Sequence, residues 1–492
     1  MKSCLQSLPI CDLAKLRPFY KKVKCAQSDS RLVKSGDLFF AFPGDVFDGR
    51  DYIIDAIKQG AAAVFWEPDS EFCWDKNWQC PNVPISQLAQ QAGVIVADIL
   101  DYPGCKIPIT GVTGTNGKTS IAHWLAQAYQ VLNKKIAIIG TIGNGFLNQL
   151  LSSTHTTPNA FTNQALLAQY CQQGANAVVM EVSSHALDQG RVNGVPFKTA
   201  IFTNLTHDHL DYHGTMNTYG AAKRLLFYWE GLQNAIINLD DPFGVKLAQE
   251  LKNQPINLLT YGFNQGDIQA TSLNTSRSSL LMNVKTPWGS AVLNNAQLIG
   301  RFNAANLLAC LGALCVESIP LKDAVDALEK IEPVCGRMQR LEKPQKPLIV
   351  IDYAHTPDAL EKTLLALADI CSKKSKLYCV FGCGGNRDKG KRPLMGAVAE
   401  KIADVIVVTS DNPRMEDPFA IVQDILVGMN HERVHVEPDR LQAIFWAIHQ
   451  ATAMDIILIT GKGHEQYQDI GGKKIPFSDY QVAQDALLVN PS

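Results

Sequence analysis

The sequence lacks any apolar run approaching the roughly 18 residues that span a bilayer, and the stretch Met1 to Tyr20 lacks the apolar core of a secretory leader. Membrane insertion and export are therefore not expected, and a soluble, cytoplasmic protein is. There is also no excess of either charge. Lys and Arg number 45 against 47 Asp and Glu, a formal net charge of −2, which argues against a general nucleic-acid partner. Cysteine is present but without order: 13 residues at no paired spacing suit reduced thiols, and Cys379 and Cys383 stand too isolated for zinc. Internal repeats and low-complexity tracts are missing. The longest basic cluster, Arg387-Asp388-Lys389-Gly390-Lys391-Arg392, reads without context as a solvated loop.

What is present is an ordinary globular composition, 46% apolar and 19% charged, in 492 residues, too many for one hydrophobic core. The first hundred residues hold short strand-like runs (Asp37 to Phe42, Ala61 to Phe65) around a helical stretch, Tyr52 to Gly60. Asp101-Tyr102-Pro103-Gly104 is a turn-rich junction. From Ile107 the chain repeats strand, polar loop and amphipathic helix. Ile107 to Val112 reads as a strand, and Ile121, Trp124, Leu125, Ala128, Val131 and Leu132 share one helical face. Lys135 to Thr141, Ala177 to Met180, Ala200 to Thr203 and Ala235 to Leu239 are further strands. A second linker, Leu341 to Pro347, precedes strands Leu348 to Ile351, Leu377 to Phe381, Val405 to Val408 and Ile456 to Ile459, and Thr356-Pro357 opens a helix. The fold class is α/β in three domains: a small α/β unit over 1–102, a mostly parallel P-loop-type sheet over 103–338, and a Rossmann-like doubly wound sheet over 339–492.

Polar clusters follow the strands directly: the loop at 114–119, Glu181 to His185, Asn204 to His213, Asp352 to His355, Gly382 to Arg392, Asp411 to Arg414 and Gly461 to Glu465. Open α/β sheets bind ligands at the carboxyl ends of their strands, so the site is expected between the two larger domains. Gly114-Thr115-Asn116-Gly117-Lys118-Thr119, between a strand and a helix, supplies what a triphosphate needs. Glycines turn backbone N–H groups inward, the helix N-terminus adds partial positive charge, Lys118 reaches the β/γ-phosphates and the Thr119 hydroxyl suits Mg²⁺. The strict pattern would place glycine at 112, where Val112 stands, so the loop is a variant. Glu181 is the carboxylate at hand for the metal. His207, Asp208, His209, Asp211 and His213 run through a turn without tetrahedral spacing and do not read as zinc.

Gly111 to Ser120, Glu181-Val182-Ser183-Ser184-His185, the run Asn204 to Gly214 and Tyr219-Gly220-Ala221-Ala222-Lys223 together resemble the Mur ligases, ATP-dependent enzymes that build the peptide stem of bacterial peptidoglycan. The resemblance covers nearly the whole chain. Asp29-Ser30-Arg31 with Gly36 to Phe39 is similar to the family's uridine-nucleotide domain, and Arg301-Phe302-Asn303 and Gly336-Arg337-Met338 are similar to its further nucleotide motifs. It implies that 1–102 binds the UDP-sugar, 103–338 binds ATP and 339–492 binds the amino acid. It implies ATP contacts from Gly114, Thr115, Asn116, Gly117, Lys118, Thr119, Ser120, Asn303 and Arg337, and catalytic roles for Lys118, Glu181, His209 and Lys223. Two Mg²⁺ ions are implied, with Thr119, Glu181, His209 and Lys223 as ligands. An ammonium cannot ligate Mg²⁺, and the family's matching lysine is carbamylated by CO₂, which implies a carbamate on Lys223.

The implied reaction phosphorylates the D-glutamate side-chain carboxylate of UDP-MurNAc-L-Ala-D-Glu, and an incoming amine then displaces the phosphate. Ser28 and Ser30 match uridine positions, and Thr156, Thr157, Ser183, Gln189 and Arg191 match muramyl-peptide positions; Asp45-Val46-Phe47 stands where some members carry His-Gln-Ala. The Asp411-Asn412-Pro413-Arg414 form accompanies members that add meso-2,6-diaminopimelate, and Arg387, Asp411, Asn412, Pro413, Arg414, Gly461 and Glu465 match its binding positions. That amino acid carries a second head whose carboxylate wants a cation, and Arg414 offers a bidentate fork on a proline-stiffened turn. A monomer acting on small molecules is expected. The rival readings are the same fold adding L-lysine, a folylpolyglutamate-type ligase, a P-loop ATPase or kinase, and a non-catalytic homologue.

Overall fold

The computed structural model describes residues 11–44, 47–430 and 434–489; of the Asp45-Val46-Phe47 triplet, Asp45 and Val46 therefore lie outside the described residues, while Phe47 is exposed. Three main sheets account for most of the core. The first is all-parallel, in the order Ala26–Gln27, Leu38–Ala41, Ala63–Trp66, Asn82–Pro84. Leu38, Phe39, Phe40 and Ala41 are all buried, as an apolar run without alternation requires when both faces of a parallel strand are covered.

The central sheet has ten strands, in the order Gly289–Asn295, Leu280–Thr286, Ile268–Thr275, Asn257–Gly262, Asn234–Asn238, Phe197–Phe202, Ile109–Thr113, Ala177–Glu181, Ile136–Ile139, Asn144–Phe146. Its middle is parallel, with antiparallel pairs at both edges. After Ile109–Thr113 the chain crosses to one side of that strand and later returns to the other, so the phosphate loop emerges where the winding reverses. Helix Lys118–Val131 buries Ile121, Trp124, Leu125 and Ala128 as the periodicity predicts, and the Trp124 indole N–H donates to Glu332 O at 3.1 Å. Val131, placed on the same face from sequence, is 37% exposed at the last residue of the helix.

The antiparallel ladder Ile268–Thr275, Leu280–Thr286, Gly289–Asn295 was not anticipated. Its signal is visible afterwards: Leu280, Met282 and Val284 are buried while Leu281, Asn283 and Lys285 are exposed, a period-two pattern. The third sheet runs Gln339–Leu341, Leu348–Asp352, Ile456–Thr460, Leu377–Phe381, Val405–Val408, Val434–Val436, parallel except at its first pair. Several of its helices start on side-chain caps: Thr356 before Pro357, Asp417 before Pro418 and Asp439 before Arg440. No helix among the described residues is long and apolar enough to cross a membrane.

Candidate active site

The carboxyl ends of the central and third sheets face a shared cleft of about 660 Å³, lined among others by Lys118, Thr119, Glu181, His209, Asn303, Arg337, Asp352 and His355. The phosphate loop is laced to the loop after strand Phe197–Phe202: Thr115 N donates to Asn204 O at 2.8 Å, Asn116 N to Asn204 Oδ1 at 3.0 Å, and Thr203 Oγ1 to Asn116 O at 2.6 Å. That closeness dictates glycine. A Cβ on Gly114 would sit 1.8 Å from Thr203 Oγ1, and Gly117, at φ +90, would meet Asn306 Oδ1 at 2.6 Å. Ser120 is buried in the first turn of the following helix.

Two lysines converge here. Lys118 Nζ donates to Gly114 O at 2.8 Å and Thr115 O at 2.9 Å, and Lys223 Nζ donates to the same Gly114 oxygen at 2.9 Å. Lys223 is 1% exposed, with its ammonium over the Tyr219 ring. Among the described residues no carboxylate forms an ion pair with either lysine. Burial lowers the pKa of Lys118; burial and the neighbouring Lys118 charge hold Lys223 well below the ordinary lysine value.

Glu181 is fully buried and gathers hydroxyls. Its Oε2 accepts from Thr119 Oγ1 at 2.9 Å and Thr141 Oγ1 at 3.0 Å, and its Oε1 accepts from Thr141 N at 2.8 Å. A carboxylate with two hydroxyls beside a phosphate loop is a hard-oxygen set that fits Mg²⁺. Lys223 as an amine does not offer such a ligand; as a carbamate it would. His209, in left-handed backbone at φ +54, is half-exposed at the cleft, its Nε2 3.4 Å from Asp208 Oδ2. Desolvation keeps it below the usual histidine range despite Asp208. No three His, Cys, Asp or Glu side chains are arranged around a metal position among the described residues.

Arg337 connects the two halves of the cleft. Its Nη2 donates to Thr119 Oγ1 at 3.4 Å, its guanidinium carbon lies 4.4 Å from the Tyr353 ring centre, and the Tyr353 ring is 5.3 Å from that of His464, next to Glu465. Asn303 is turned inward, donating to Ile299 O at 2.8 Å. On the other flank, Thr141 Oγ1 meets Thr156 Oγ1 at 3.0 Å, Thr157 Oγ1 donates to Glu181 O at 2.7 Å and accepts from Ser183 N at 3.0 Å, and Arg191 Nη1 reaches Thr157 O at 3.3 Å. Thr156, Thr157, Ser183 and Arg191 thus form one group against Glu181, with Gln189 ending the short helix Ser184–Asp188 between them. Ser28 and Ser30 stand apart in the first domain, Ser30 buried with its carbonyl accepting from Gln59. That domain docks beside Gln189 and Arg191, where Asn193 Nδ2 donates to Gln90 O at 2.8 Å.

The residues matched to the amino acid gather at the end of the third sheet. Asn412 Nδ2 donates to Glu465 Oε2 at 2.8 Å, and Lys462 Nζ bridges Asn412 Oδ1 at 3.0 Å and Glu465 Oε2 at 2.9 Å. Gly461 is needed at φ +113 because a Cβ there would meet Asp411 Oδ2 at 2.3 Å. After Pro413 the backbone turns left-handed at Arg414, φ +52, and Arg414 Nη1 donates to Gly385 O at 2.6 Å. Gly384 lies between the two arginines: a Cβ on it would be 2.9 Å from Arg414 Nη1 and 3.8 Å from Arg387 Cγ. Arg387 itself is exposed. Sequence reasoning missed Thr141, Asn306 and Lys462. Thr141 is a lone polar residue at a strand end, Asn306 stands one helical turn past the quoted Arg301-Phe302-Asn303, and Lys462 was hidden inside a run noticed only for its ends.

Comparison with known proteins agrees with this arrangement. Residues 22–98 match the model described as Mur ligase family, catalytic domain, residues 112–314 match Mur ligase middle domain, and residues 336–463 match Mur ligase, glutamate ligase domain. A UDP-N-acetylmuramoyl-L-alanyl-D-glutamate--2,6-diaminopimelate ligase of Chromobacterium violaceum is 53% identical over 487 residues, 99% of each chain. An enzyme of the same name from Neisseria meningitidis serogroup A is 52% identical over 94% of each chain. A solved structure of a ligase of that name superposes with a TM-score of 0.69 at 37% identity, covering 94% of both chains. With three domain models in order and relatives alike from end to end, the chain belongs to the Mur ligase family.

Proposed function

We propose that the protein joins meso-2,6-diaminopimelate to the D-glutamate side-chain carboxylate of UDP-MurNAc-L-Ala-D-Glu, consuming ATP, with residues 1–102, 103–338 and 339–492 serving the UDP-sugar, ATP and the amino acid. The carrying observation is the Asp411-Asn412-Pro413-Arg414 turn, whose left-handed Arg414 meets Arg387 across Gly384 and whose Asn412 is bonded to Glu465. It supplies cations for the distal carboxylate, the group by which diaminopimelate differs from lysine, and an anion for the distal ammonium that the two amino acids share.

Lys118 and the loop amides hold the γ-phosphate of ATP in line with the glutamate carboxylate, which is kept on the Thr156, Thr157 and Arg191 side of Glu181. A carboxylate oxygen bonds to the γ-phosphorus as the bond to the β-γ bridging oxygen breaks and ADP leaves. The amine then adds to the acyl-phosphate carbon, loses a proton and expels inorganic phosphate, leaving the amide. Positioning and charge neutralisation supply most of the acceleration. Thr119, Glu181, His209 and a carbamylated Lys223 would hold Mg²⁺, which when bound would supply neutralisation of the phosphate charge. The carbamate is supported by burial and Lys118, which favour the neutral amine that reacts with CO₂. Twelve free cysteines among the described residues support a reducing cytoplasmic setting, and the same reading has the enzyme working as a monomer on small molecules.

One assay tests the reading: purified protein, ATP, Mg²⁺ and UDP-MurNAc-L-Ala-D-Glu, with amino acids offered singly. ADP release is expected with meso-diaminopimelate and not with L-lysine. Equal rates would refute the role given to Arg414.

A further inference from the structure

Two of the three loops that carry the amino-acid residues, those after Val405–Val408 and Ile456–Thr460, have their spacing held from beneath by a pair outside both. Arg440 opens helix Arg440–Gln450 and is 1% exposed; Asp479, in helix Asp479–Leu488, is fully buried. Their contact is bidentate, Nε to Oδ1 at 2.7 Å and Nη2 to Oδ2 at 2.8 Å. The remaining donors go to two carbonyls, Nη2 to Thr460 O at 2.9 Å and Nη1 to Ser410 O at 3.2 Å. Ser410 immediately precedes the turn Asp411 to Arg414, and Thr460 immediately precedes Gly461 to Glu465.

A buried guanidinium is expensive to desolvate, and packing alone would be served as well by an apolar side chain. What the apolar side chain lacks is a rigid planar fork that holds two carbonyls at a fixed separation while a carboxylate fixes the fork. Above it the loops abut, with Asn412 bonded to Glu465. We infer that Arg440, oriented by Asp479, is a positioning residue that sets the separation of Arg414 and Glu465, and thereby the length of amino acid accepted. Neither side chain touches the substrate. The inference rests on the proposed function, because it takes these loops as the amine site.

The test uses the full enzyme as Arg440→Lys and Asp479→Asn, both close in volume to the native residues. KM for diaminopimelate should rise by roughly tenfold to a hundredfold, as a misplacement of about an ångström does, with KM for ATP unchanged and discrimination against L-lysine reduced. Hydrogen exchange should quicken in 410–414 and 461–465 together and stay unchanged in 118–131. Unchanged KM for diaminopimelate, or unchanged exchange in either loop, overturns the inference. So does unfolding of both variants at room temperature, which would make the pair a plain core element. If the wild type releases no ADP with diaminopimelate, the functional reading fails, and the exchange measurement still decides whether the clamp exists.

Discussion

The phosphate cleft and the amino-acid loops both sit at the carboxyl edge of a parallel sheet, yet they hold charge in opposite ways. In the cleft, Lys118 and Lys223 share one carbonyl oxygen without a carboxylate on either, and Glu181 is satisfied by neutral hydroxyls and an amide. In the loops every buried cation is matched: Lys462 with Glu465, Arg440 with Asp479, and Arg392 with Glu416 and Asp424. The cleft brings two lysines without an ion-pair partner to one point, where the polyanion of the proposed reaction would supply that partner. The loops pair their buried cations internally and leave Arg414, bonded to a carbonyl, for the carboxylate of the proposed substrate. The cleft should therefore gain more stability from its ligand than the loops do from theirs.

The largest effect expected from this contrast is at Lys118. Lys118→Met should lower kcat by about a thousandfold, the scale of losing a preorganised charge, while the melting temperature holds or rises because a part-buried cation without an ion-pair partner is gone. A marked loss of stability would break the contrast, since it would mean that Lys118 is structurally paired. Lys223→Ala should be similarly inactive and recover part of its activity with small carboxylic acids, which replace the carbamate oxygens. Full activity without rescue would remove the carbamate from the proposal.

In the loops, Arg414→Ala should raise KM for diaminopimelate by roughly a hundredfold, the scale of stranding a substrate carboxylate without its fork, and leave nucleotide binding as it was. A parallel rise in KM for ATP would mean that the two regions are not separable.

How much of this was legible depended on whether chemistry lay within one stretch of chain. The phosphate loop was readable because strand, glycines, lysine and helix are contiguous, and the Asp411 to Arg414 turn because proline and arginine stand together. The order of the central strands and the antiparallel ladder at 268–295 were not read, since pairing over such separations depends on which apolar faces meet. The bridge from Arg337 through Tyr353 to His464 was invisible for the same reason: three residues separated by 16 and 111 positions become neighbours only when two domains close on each other. Thr141 is the plainest case. One threonine at a strand end says nothing until Glu181 is seen to lean on it.

The smallest effect sharpens the contrast from the side of protons. His123 sits on helix Lys118–Val131, 5% exposed, with its Nε2 unpartnered; burial, aided by the positive charge of Arg337 and by His464, holds its pKa at about 4 against an ordinary 6.5. The folded value is depressed, so the unfolded chain binds the extra proton first. Stability is then unaffected above pH 6.5 and falls as the pH drops towards 4, by about 2 kcal/mol at pH 5. His123→Leu should remove that part of the acid sensitivity, seen as a flatter melting temperature between pH 6.5 and 4. An unchanged acid slope in His123→Leu would mean that the acid lability lies elsewhere in the chain, and that burial beside Arg337 and His464 has no hold on this imidazole.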